Sequence, residues 1–297
     1  MGEQATALYI CYGTTSLNLT WIPDSVEVVV VHNDELLAEA SCAHRRVRHL
    51  YPGTNIGFGA GVNLALPQVE GSRLIIVNPD TALRREHWDG LAGGAPEEIV
   101  VVPLVDASER PTSLINRYPT ATVALLTGFR AGRLLPRGSR RRVLASLLIG
   151  RWGTDHSSLV TATTGRWDLR TYWASAAVLS VATDRIRSID GFDPAYFLYM
   201  EDVDLCRRLG EAYPLMQIRM ASAPAGIHAV GGSIVASDAG ARNLSYLSSI
   251  LTYVSRQRGL GWRLVGIALS GRGHWLRARQ SSASIDQGAD SLESTRR

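Results

Sequence analysis

Three runs of aliphatic residues constrain the fold of this chain more than any other feature of its sequence. They are VEVVVV at 26–31, LIIV at 74–77 and IVVV at 99–102. Such runs predict strands that are covered on both faces, because a strand with one face in water alternates apolar and polar residues. An apolar run at 7–12 and a short segment at 47–50 predict two further strands.

Helix-like segments fall between these strands. Residues 35–43 lie between the second and third strands, and residues 59–66 lie between the third and fourth. This alternation is typical of an α/β protein with a mostly parallel central sheet and flanking helices. Ligands of such folds bind at the carboxyl ends of the strands, so we expect the functional site at that edge.

The second half of the chain predicts fewer regular elements. Residues 174–183 and 215–220 read as strands, and a helix is expected to begin near Glu201. Apolar segments at 120–135 and 143–149 are interrupted by arginines and resemble interfacial helices.

The basic residues are unevenly distributed along the chain. All 31 are arginines, and the formal net charge is +4. Seven lie in 130–151 and seven in 240–280, and neither segment contains an acidic residue. Such segments suit an anionic membrane surface or a nucleic acid, although a solvated basic face has the same composition. Because no aromatic stacking pattern or known motif accompanies the arginines, we expect no nucleic-acid partner.

Composition excludes several other classes of protein. With 45% hydrophobic and 20% charged residues, the chain has the make-up of a globular protein and not of a disordered one. Uninterrupted apolar runs stay short of the roughly 18 residues of a membrane-spanning helix. The N-terminus lacks the basic segment of a secretory signal. Cys11, Cys42 and Cys206 have no metal-type spacing and do not indicate a disulfide framework, so we expect a cytoplasmic protein.

A short acidic turn follows one of the buried strands. Asn78-Pro79-Asp80 comes directly after the 74–77 run. A carboxylate on a proline-stiffened turn at this edge is well placed to bind a divalent cation that also contacts a diphosphate. The same tripeptide also occurs as a simple turn, so taken alone it leaves both interpretations open.

Three carboxylates cluster at the expected start of a helix, at Glu201, Asp202 and Asp204. Acidic side chains in a first turn are favoured by the helix dipole, which is a purely structural explanation. An aspartate facing a cleft there can also take a proton from an acceptor hydroxyl. Farther along, His228 precedes two glycines. Imidazole is a good ligand for Mn²⁺, although a lone histidine is more often structural.

A glycine-rich segment, NIGFGAGVN, occupies residues 55–63. Its spacing differs from the G-x-G-x-x-G fingerprint of dinucleotide-binding proteins, and the first strand-to-helix turn, at 12–15, lacks that fingerprint as well. A Rossmann dehydrogenase is therefore disfavoured.

Taken together and in order, four motifs resemble the family 2 glycosyltransferases, which have the GT-A fold. The similarity is greatest to the bacterial rhamnosyltransferase-like branch, which builds cell-envelope glycans. The motifs are N-x-G-F-G-x-G-x-N at 55–63, V-N-P-D at 77–80, G-F-D-P-x-Y-F-L-Y-M-E-D-V-D-L-C-x-R at 191–208 and H-x-x-G-G-S at 228–233. The resemblance extends from about residue 7 to about residue 275.

The resemblance implies roles for individual residues. Asp202 matches the catalytic base, and Asp80 with His228 matches the ligands of a Mn or Mg cation, while Asn78 stands where a first aspartate is common. Nucleotide-sugar binding is implied for nine residues: Tyr12, Gly13, His32, Asn33, Asp34, Asn55, Gly57, Asn63 and Asn78. Supporting or acceptor-facing positions are implied for four more: Trp173, Glu201, Asp204 and Arg208.

One segment departs from the family pattern. Family members usually show V-D-N-x-S after the second strand, with the aspartate reading the nucleotide base, whereas this chain has Val31-His32-Asn33-Asp34. The segment 16–25 is also too short for the usual helix. Base recognition by Asn33 or Asp34, or an unusual donor, is therefore expected.

The resemblance also implies an activity and a place. We expect an inverting, metal-dependent transfer of a sugar, with dTDP-rhamnose as one donor, to a hydroxyl of a cell-envelope or lipid-linked glycan. We expect the arginine-rich segments to hold the protein at the anionic inner face of the membrane. Transfer of another sugar, such as galactofuranose, decoration of a secondary metabolite, and a GT-A domain that binds without turnover stay open, as does the oligomeric state.

The expected domain organisation follows from these patterns. Residues 1–239 form the GT-A catalytic domain, with a nucleotide-sugar half over about 1–105 and an acceptor half over about 106–239. Residues 240–280 form a basic amphipathic helical extension, and residues 281–297 a disordered tail.

Overall fold

The computed structural model of the chain describes residues 5–14, 16–34, 39–41, 47–112, 114–119, 164–228 and 239–257. Several predictions fall outside these residues. They are the interfacial helices at 120–135 and 143–149, the basic segment 130–151, the glycines at 231 and 232, residues 258–280 of the extension and the tail 281–297.

The described strands and helices confirm an α/β fold. The strands are β1 (Ala5–Cys11), β2 (Ser16–Asn18), β3 (Val26–His32), β4 (Glu39–Ser41), β5 (Val47–Leu50), β6 (Arg73–Val77), β7 (Thr81–Ala82), β8 (Glu98–Val101), β9 (Leu104–Val105), β10 (Ile115–Arg117), β11 (Gly165–Asp168), β12 (Tyr172–Ala174), β13 (Val178–Ala182), β14 (Gln217–Met220) and β15 (Gly226–His228). The α-helices are α1 (Phe58–Ala65), α2 (Arg85–Ala92), α3 (Thr183–Ser188), α4 (Glu201–Ala212) and α5 (Ala239–Gln257).

An eight-stranded sheet forms the centre of the fold, in the order β11-β14-β8-β13-β6-β1-β3-β5. The runs that predicted buried strands supply its core: β6 is buried along its whole length, and Val28 to Val31 of β3 are at most 1% exposed. Helices cover both faces. On one face, Gly61 of α1 packs closely against Ile10 of β1, and on the other the Ser180 hydroxyl of β13 donates to the Leu91 carbonyl of α2.

The sheet is parallel at one end and mixed at the other. The neighbours β6, β1, β3 and β5 are all parallel, as the sequence predicts, and so are β8 and β14. However, β13 runs antiparallel to both β6 and β8. Because Val178 pairs with Val77, β13 begins where β6 ends, and residues 175–177 lie at the expected binding edge. The expectation of a mostly parallel sheet is therefore only partly correct.

The helix predicted over 35–43 is wrong at residues 39–41. These residues form β4, which pairs in parallel with β2. The short connection that contains β2 offers its backbone hydrogen bonds to this segment, and tertiary pairing of this kind overrides the modest helix propensity of a Leu- and Ala-rich run. The single strand predicted over 174–183 is also divided, into β12 and β13.

The C-terminal helix α5 packs on the domain that precedes it. Ile250, Tyr253 and Val254 form a buried cluster with Tyr196 and Val203. The apolar side chains of this first part of the predicted extension therefore face the protein interior. Within the described ranges, no helix is both long and apolar enough to span a bilayer.

Candidate active site

A carboxylate and an imidazole meet in a small three-stranded sheet, β7-β15-β9. β7 begins immediately after Asp80, and its Thr81 pairs with His228 of β15. This register brings His228 Nε2 to 3.3 Å from Asp80 Oδ1, with the two side chains 12% and 8% exposed. Two residues that are 148 positions apart in the sequence thus come into contact because β7 pairs with β15.

These two residues fit the metal that the family resemblance implies. Asp80 Oδ1 and His228 Nδ1 are buried and have no hydrogen-bond partner in the described structure. A carboxylate oxygen and an imidazole nitrogen suit Mn²⁺, and a carboxylate suits Mg²⁺. No group of three or more His, Cys, Asp or Glu side chains among the described residues is arranged to hold a metal. The described residues therefore supply two candidate ligands here, and any further ligands would be phosphate oxygens, water or other groups.

The turn that carries Asp80 is held by the chain leading into β13. The backbone amide of Asn78 donates to the backbone carbonyl of Ala177 at 2.9 Å, and the backbone amide of Thr81 donates to the backbone carbonyl of Asn78 at 3.0 Å. The turn is thus fixed both to itself and to the neighbouring strand.

Asp202 reaches the same segment from the first turn of α4. The Ala176 amide donates to Asp202 Oδ2 at 3.3 Å, and the Val203 amide donates to Asp202 Oδ1 at 2.9 Å. Since Ala176 and Ala177 are adjacent, one turn of chain anchors both the expected base and the expected metal-binding turn. Burial raises the pKa of Asp202 above its usual range, although the backbone hydrogen bonds oppose this.

Glu201, beside the expected base, is a buried carboxylate, and no cationic side chain of the described residues pairs with it. Its side chain is 6% exposed, and no described group donates to its Oε2 atom. Burial, and then the charge of Asp202, raise the pKa of Glu201. Two carboxyl groups are thus held in the first turn of one helix, where burial and their mutual repulsion disfavour ionisation of both and the positive end of the helix dipole favours it.

Asp204 and Arg208, the other polar members of this helix, are engaged in structural contacts. Arg208 Nε donates to Asp204 Oδ2 at 2.7 Å, and its other nitrogens donate to the carbonyls of Ile189 and Gly191 at 2.8 and 2.7 Å. Burial raises the pKa of Asp204, while the Arg208 cation opposes the shift. This pair ties α4 to the turn that precedes the G-F-D-P motif.

The turn before α4 has an uncommon backbone conformation. Tyr199 and Met200 are both left-handed, with φ of 70° and 67°. Residues with a Cβ atom adopt this region at a cost and keep it only where the surroundings impose it. The helix that carries Asp202, the expected base, therefore begins directly after a strained turn.

The glycine-rich segment 55–63 supports that turn from the other side. The Phe58 amide donates to the Phe197 carbonyl at 3.1 Å. Gly57 has φ of 88°, and a Cβ atom on it would lie 2.4 Å from the Phe197 carbonyl oxygen. Its amide donates to Asn55 Oδ1 at 3.0 Å. These two expected donor-binding residues thus have a clear local role in the fold.

Asn63 joins the same two motifs. Its Nδ2 donates to the Phe192 carbonyl at 2.7 Å, and its Oδ1 accepts from the Phe192 amide at 2.8 Å. The oxygen and the nitrogen of the Asn63 side chain thus both form hydrogen bonds with the backbone of Phe192. A role for Asn63 in nucleotide-sugar binding stays a prediction.

The polar residues expected to bind the nucleotide gather at the carboxyl ends of β1 and β3. The Gly13 amide, next to the half-buried Tyr12, donates to Asp34 Oδ2. Asn33 Nδ2 donates to the Gly57 carbonyl at 3.0 Å. Buried polar atoms without a described hydrogen-bond partner remain here: Thr14 Oγ1, Asn33 Oδ1 and Asp34 Oδ1. Thr14 was missed from the sequence, although its place directly after the first strand is a usable signal.

His32, at the position that departs from the family, lies under a group of rings. Its Nε2 is 2.9 Å from His49 Nδ1, and its ring centroid is 4.7 Å from that of Tyr51 with the planes 12° apart. His49 and Tyr51 come from the carboxyl end of β5, whose pairing with β3 sets this arrangement. Sequence reasoning missed both, because the register of β5 against β3 was unknown.

A pocket of about 430 Å³ adjoins Asp80. Its walls are mainly apolar and come from the segment before β3, from the turn at 79–84 and from β15. The side chains that sequence reasoning missed here include Leu17, Trp21, Arg84 and Ile227. Pockets of this size take small-molecule ligands.

Trp173, the remaining candidate, lies away from the Asp80 turn. It belongs to β12, its indole Nε1 donates to the Arg117 carbonyl at 3.1 Å, and its ring packs on the cluster formed by α5. An acceptor-facing role for Trp173 stays a prediction.

Comparisons with known proteins extend this description. No family model matches the chain. It is 29% identical to an N-acetylglucosaminyl-diphospho-decaprenol L-rhamnosyltransferase of Mycobacterium tuberculosis over 181 residues, 56% of this chain and 54% of that protein. It is 23% identical to the rhamnosyltransferase WbbL of Escherichia coli over 223 residues, 72% of this chain and 75% of that protein. The alignment thus spans about half the length of the mycobacterial relative.

Solved structures show the same fold. The crystal structure of GalNAc-T7 with UDP, GalNAc and Mn²⁺ superposes with a TM-score of 0.50 at 8% identity, over 88% of this chain and 52% of that one. Together, these similarities confirm the resemblance drawn from the four sequence motifs. The chain therefore resembles the bacterial rhamnosyltransferases and has the GT-A fold.

Proposed function

We propose that this protein is an inverting glycosyltransferase that moves a sugar from a nucleoside-diphosphate donor to an acceptor hydroxyl. One observation carries the proposal: the chain at Ala176 and Ala177 binds both Asp202 and the turn of Asp80. The turn at Ala176 and Ala177 would thereby hold a general base and the segment of a diphosphate-binding carboxylate close together, as such a transfer requires.

Asp202 would act as the general base. Its carboxylate takes the proton of the acceptor hydroxyl as the hydroxyl oxygen forms a bond to the anomeric carbon. The bond from that carbon to the diphosphate oxygen breaks on the opposite face, and the nucleoside diphosphate leaves with the electron pair. Attack opposite the leaving group inverts the anomeric configuration.

Asp80 and His228 would hold a divalent cation, Mn²⁺ or Mg²⁺, beside the diphosphate. When bound, such a cation supplies positive charge that stabilises the departing diphosphate. Asn78 takes the place of a second carboxylate on this turn, so the protein contributes less negative charge to the cation than a pair of aspartates does. The chain's own task here is to orient the diphosphate against the base.

The donor would lie along the edge formed by the ends of β1, β3 and β6. The unpartnered polar atoms of Thr14, Asn33 and Asp34 are available to the nucleoside, and the pocket beside Asp80 is large enough for a monosaccharide. A rhamnosyl donor such as dTDP-rhamnose is the first to test, because both relatives described above are rhamnosyltransferases.

The acceptor would be a glycan hydroxyl on a lipid carrier at the cytoplasmic face of the membrane. The name of the mycobacterial relative includes a diphospho-decaprenol acceptor. The arginine-rich segments of this chain would attract an anionic lipid surface at about 1 kcal/mol for each basic residue near it.

The proposal is tested with the purified full chain, a panel of nucleoside-diphosphate sugars, Mn²⁺ and a polyprenyl-diphosphate-linked GlcNAc acceptor. Transfer should occur with at least one donor and should give the inverted anomer. Asp202→Asn should lower kcat by about 100- to 10,000-fold and leave the donor Kd nearly unchanged. The matched control is Asp184→Asn, since Asp184 is an exposed carboxylate of α3.

Two results would contradict the proposal. Product with a retained anomeric configuration would exclude the inverting mechanism. Donor binding, seen as a rise in Tm, without transfer to any acceptor would instead favour a GT-A domain that binds a nucleotide sugar without turnover.

A further inference from the structure

Helix α5 contacts the strained turn that precedes α4. The Ser249 hydroxyl donates to the Leu198 carbonyl at 2.9 Å, across 51 positions of sequence. The ring of Tyr246 meets the ring of Tyr199 edge to face, with centroids 5.4 Å apart. Both contacts fall on or beside the residues whose φ angles are positive.

The buried surroundings of these contacts make them a fixed part of the domain. Ser249 is 1% exposed, and one turn farther along α5 Tyr253 and Val254 are 2% and 3% exposed. The Tyr253 hydroxyl accepts from Arg207 of α4 at 2.6 Å. Arg256, at the end of α5, forms an ion pair with Asp193 of the G-F-D-P motif.

The strained turn also sets the start of α4. The Asp204 amide donates to the Met200 carbonyl at 3.0 Å, so the first hydrogen bond of the helix depends on the left-handed Met200. Asp202 lies between these two residues. Movement of residues 198–200 would therefore move the carboxylate relative to the Asp80 turn.

We propose that α5 is a positioning element of the active site, and that Ser249 and Tyr246 hold the left-handed turn from which Asp202 is presented. Neither residue has a part in the chemical step. The proposal deepens the proposed function, because it rests on Asp202 as the base, but its structural half can be measured without any sugar transfer.

The structural half is tested by hydrogen exchange at the Asp204 amide in the full chain. Ser249→Ala removes the hydroxyl that binds the Leu198 carbonyl, and exchange should become about tenfold faster, as expected for one lost hydrogen bond. Ser255→Ala is the matched control, because the Ser255 hydroxyl donates to the Thr252 carbonyl within α5. That variant should leave Asp204 exchange unchanged. Tyr246→Leu should act like Ser249→Ala.

The functional half is tested by steady-state kinetics of the same variants. Ser249→Ala should lower kcat by about tenfold with little change in the donor KM, because only the presentation of the base is altered. Ser255→Ala should leave both constants at their original values. A general loss of stability would instead be equal in the two serine variants and would leave kcat per folded molecule unchanged.

The outcomes separate the two proposals. Equal exchange at Asp204 in the Ser249 and Ser255 variants overturns the positioning role, whether or not the chain transfers sugar. Faster exchange with an unchanged kcat overturns it as well, since the turn would then not govern the base. Absence of transfer by the unaltered chain overturns the proposed function, while the exchange rates still decide whether α5 holds the turn.

Discussion

His228 Nε2 lies 3.3 Å from Asp80 Oδ1, although the two residues are 148 positions apart in the sequence. The pair is held by the antiparallel register of β7 and β15, in which Thr81 faces His228. The sequence next to Asp80 or next to His228 does not by itself predict this contact. The small sheet therefore brings together the two side chains that we propose as metal ligands.

His228→Ala should raise the Mn²⁺ concentration needed for half-maximal transfer. We expect at least a tenfold rise, because even residues that only orient metal ligands contribute about 10- to 100-fold to metal affinity. The measurement is a metal titration of initial rates. His87→Ala is the comparison: this imidazole is fully buried and bound to Arg84 and Pro224, so its loss should lower Tm without changing the metal requirement. Identical titrations for the unaltered and His228 proteins would exclude the ligand role.

The pH dependence of kcat should reveal the buried base. Burial raises the pKa of Asp202, and a base acts only when it is deprotonated, so kcat should rise with pH through a value above the ordinary carboxylate pKa of about 4. Initial rates at saturating donor and acceptor, measured between about pH 4 and 8, test this expectation. The residual activity of Asp202→Asn should lack the rise. A rise centred at the ordinary carboxylate value would contradict a desolvated base.

Glu201→Gln should stabilise the fold at neutral pH. Burial and the Asp202 charge raise the pKa of Glu201, so the folded state binds protons more tightly than the unfolded state does. Such a group destabilises the protein above its folded pKa, and the penalty disappears as the pH falls below the unfolded value of about 4.3. We expect a gain of about 1–3 kcal/mol in the free energy of unfolding at pH 8, the usual cost of a buried unsatisfied group.

Thermal melting at two pH values checks the Glu201 prediction. The rise in Tm over the unaltered protein should be large near pH 8 and small near pH 4. Glu211→Gln serves as a control, because Glu211 is an exposed residue at the other end of α4. A lower Tm at pH 8 would mean that the Glu201 charge is stabilised by the helix dipole more than burial opposes it.

Much of the parallel half of the fold can be predicted from the sequence. The aliphatic runs at 26–31 and 74–77 match β3 and β6 within a residue, because runs rich in β-branched residues have few other places in a soluble protein, and the predicted strand at 47–50 matches β5. The start of α4 near Glu201 is also evident, since three acids in four positions complement a helix N-terminus. These signals come from the local sequence and do not depend on which distant strands pair.

Contacts set by pairing between distant strands could not be predicted. β4 was expected to be helical because its own sequence favours a helix, and only the partner strand β2 explains its conformation. The same holds for the ring group on His32, which depends on the register of β5, and for the link between Asp202 and the Asp80 turn. That link exists because β13 is antiparallel and starts at the binding edge.

His32→Asp should change which nucleotide the donor carries. In the resembled family an aspartate at this position reads the base, whereas His32 is 2% exposed and lies 2.9 Å from His49. A carboxylate only accepts hydrogen bonds, while an imidazole also donates, so the two residues favour different base edges. We expect the ratio of kcat/KM for two donors with the same sugar and different bases to change by about tenfold or more.

His49→Ala distinguishes base reading from mere packing at His32. This variant removes the neighbouring imidazole and leaves His32 in place. If base reading depends on His32, the donor ratio should move much less in His49→Ala than in His32→Asp. Equal changes in the two variants would show that the ring group, and not His32 itself, sets the preference.

Gly57→Ala should disturb the strained turn that precedes α4, whereas Gly53→Ala should not. Both glycines have positive φ, 88° and 80°, so both substitutions are strained, and the strain is greater at Gly57, whose ψ of 172° lies in a region that essentially only glycine adopts. Only at Gly57 would the new Cβ meet a neighbour, the Phe197 carbonyl oxygen at 2.4 Å, while at Gly53 no described atom lies within 4 Å. The difference in unfolding free energy between the variants therefore reports the contact with Phe197 together with the less tolerant backbone conformation of Gly57. Denaturant unfolding should show the larger loss in Gly57→Ala, together with a lower kcat. Equal losses would mean that the turn before α4 tolerates displacement from the glycine-rich side.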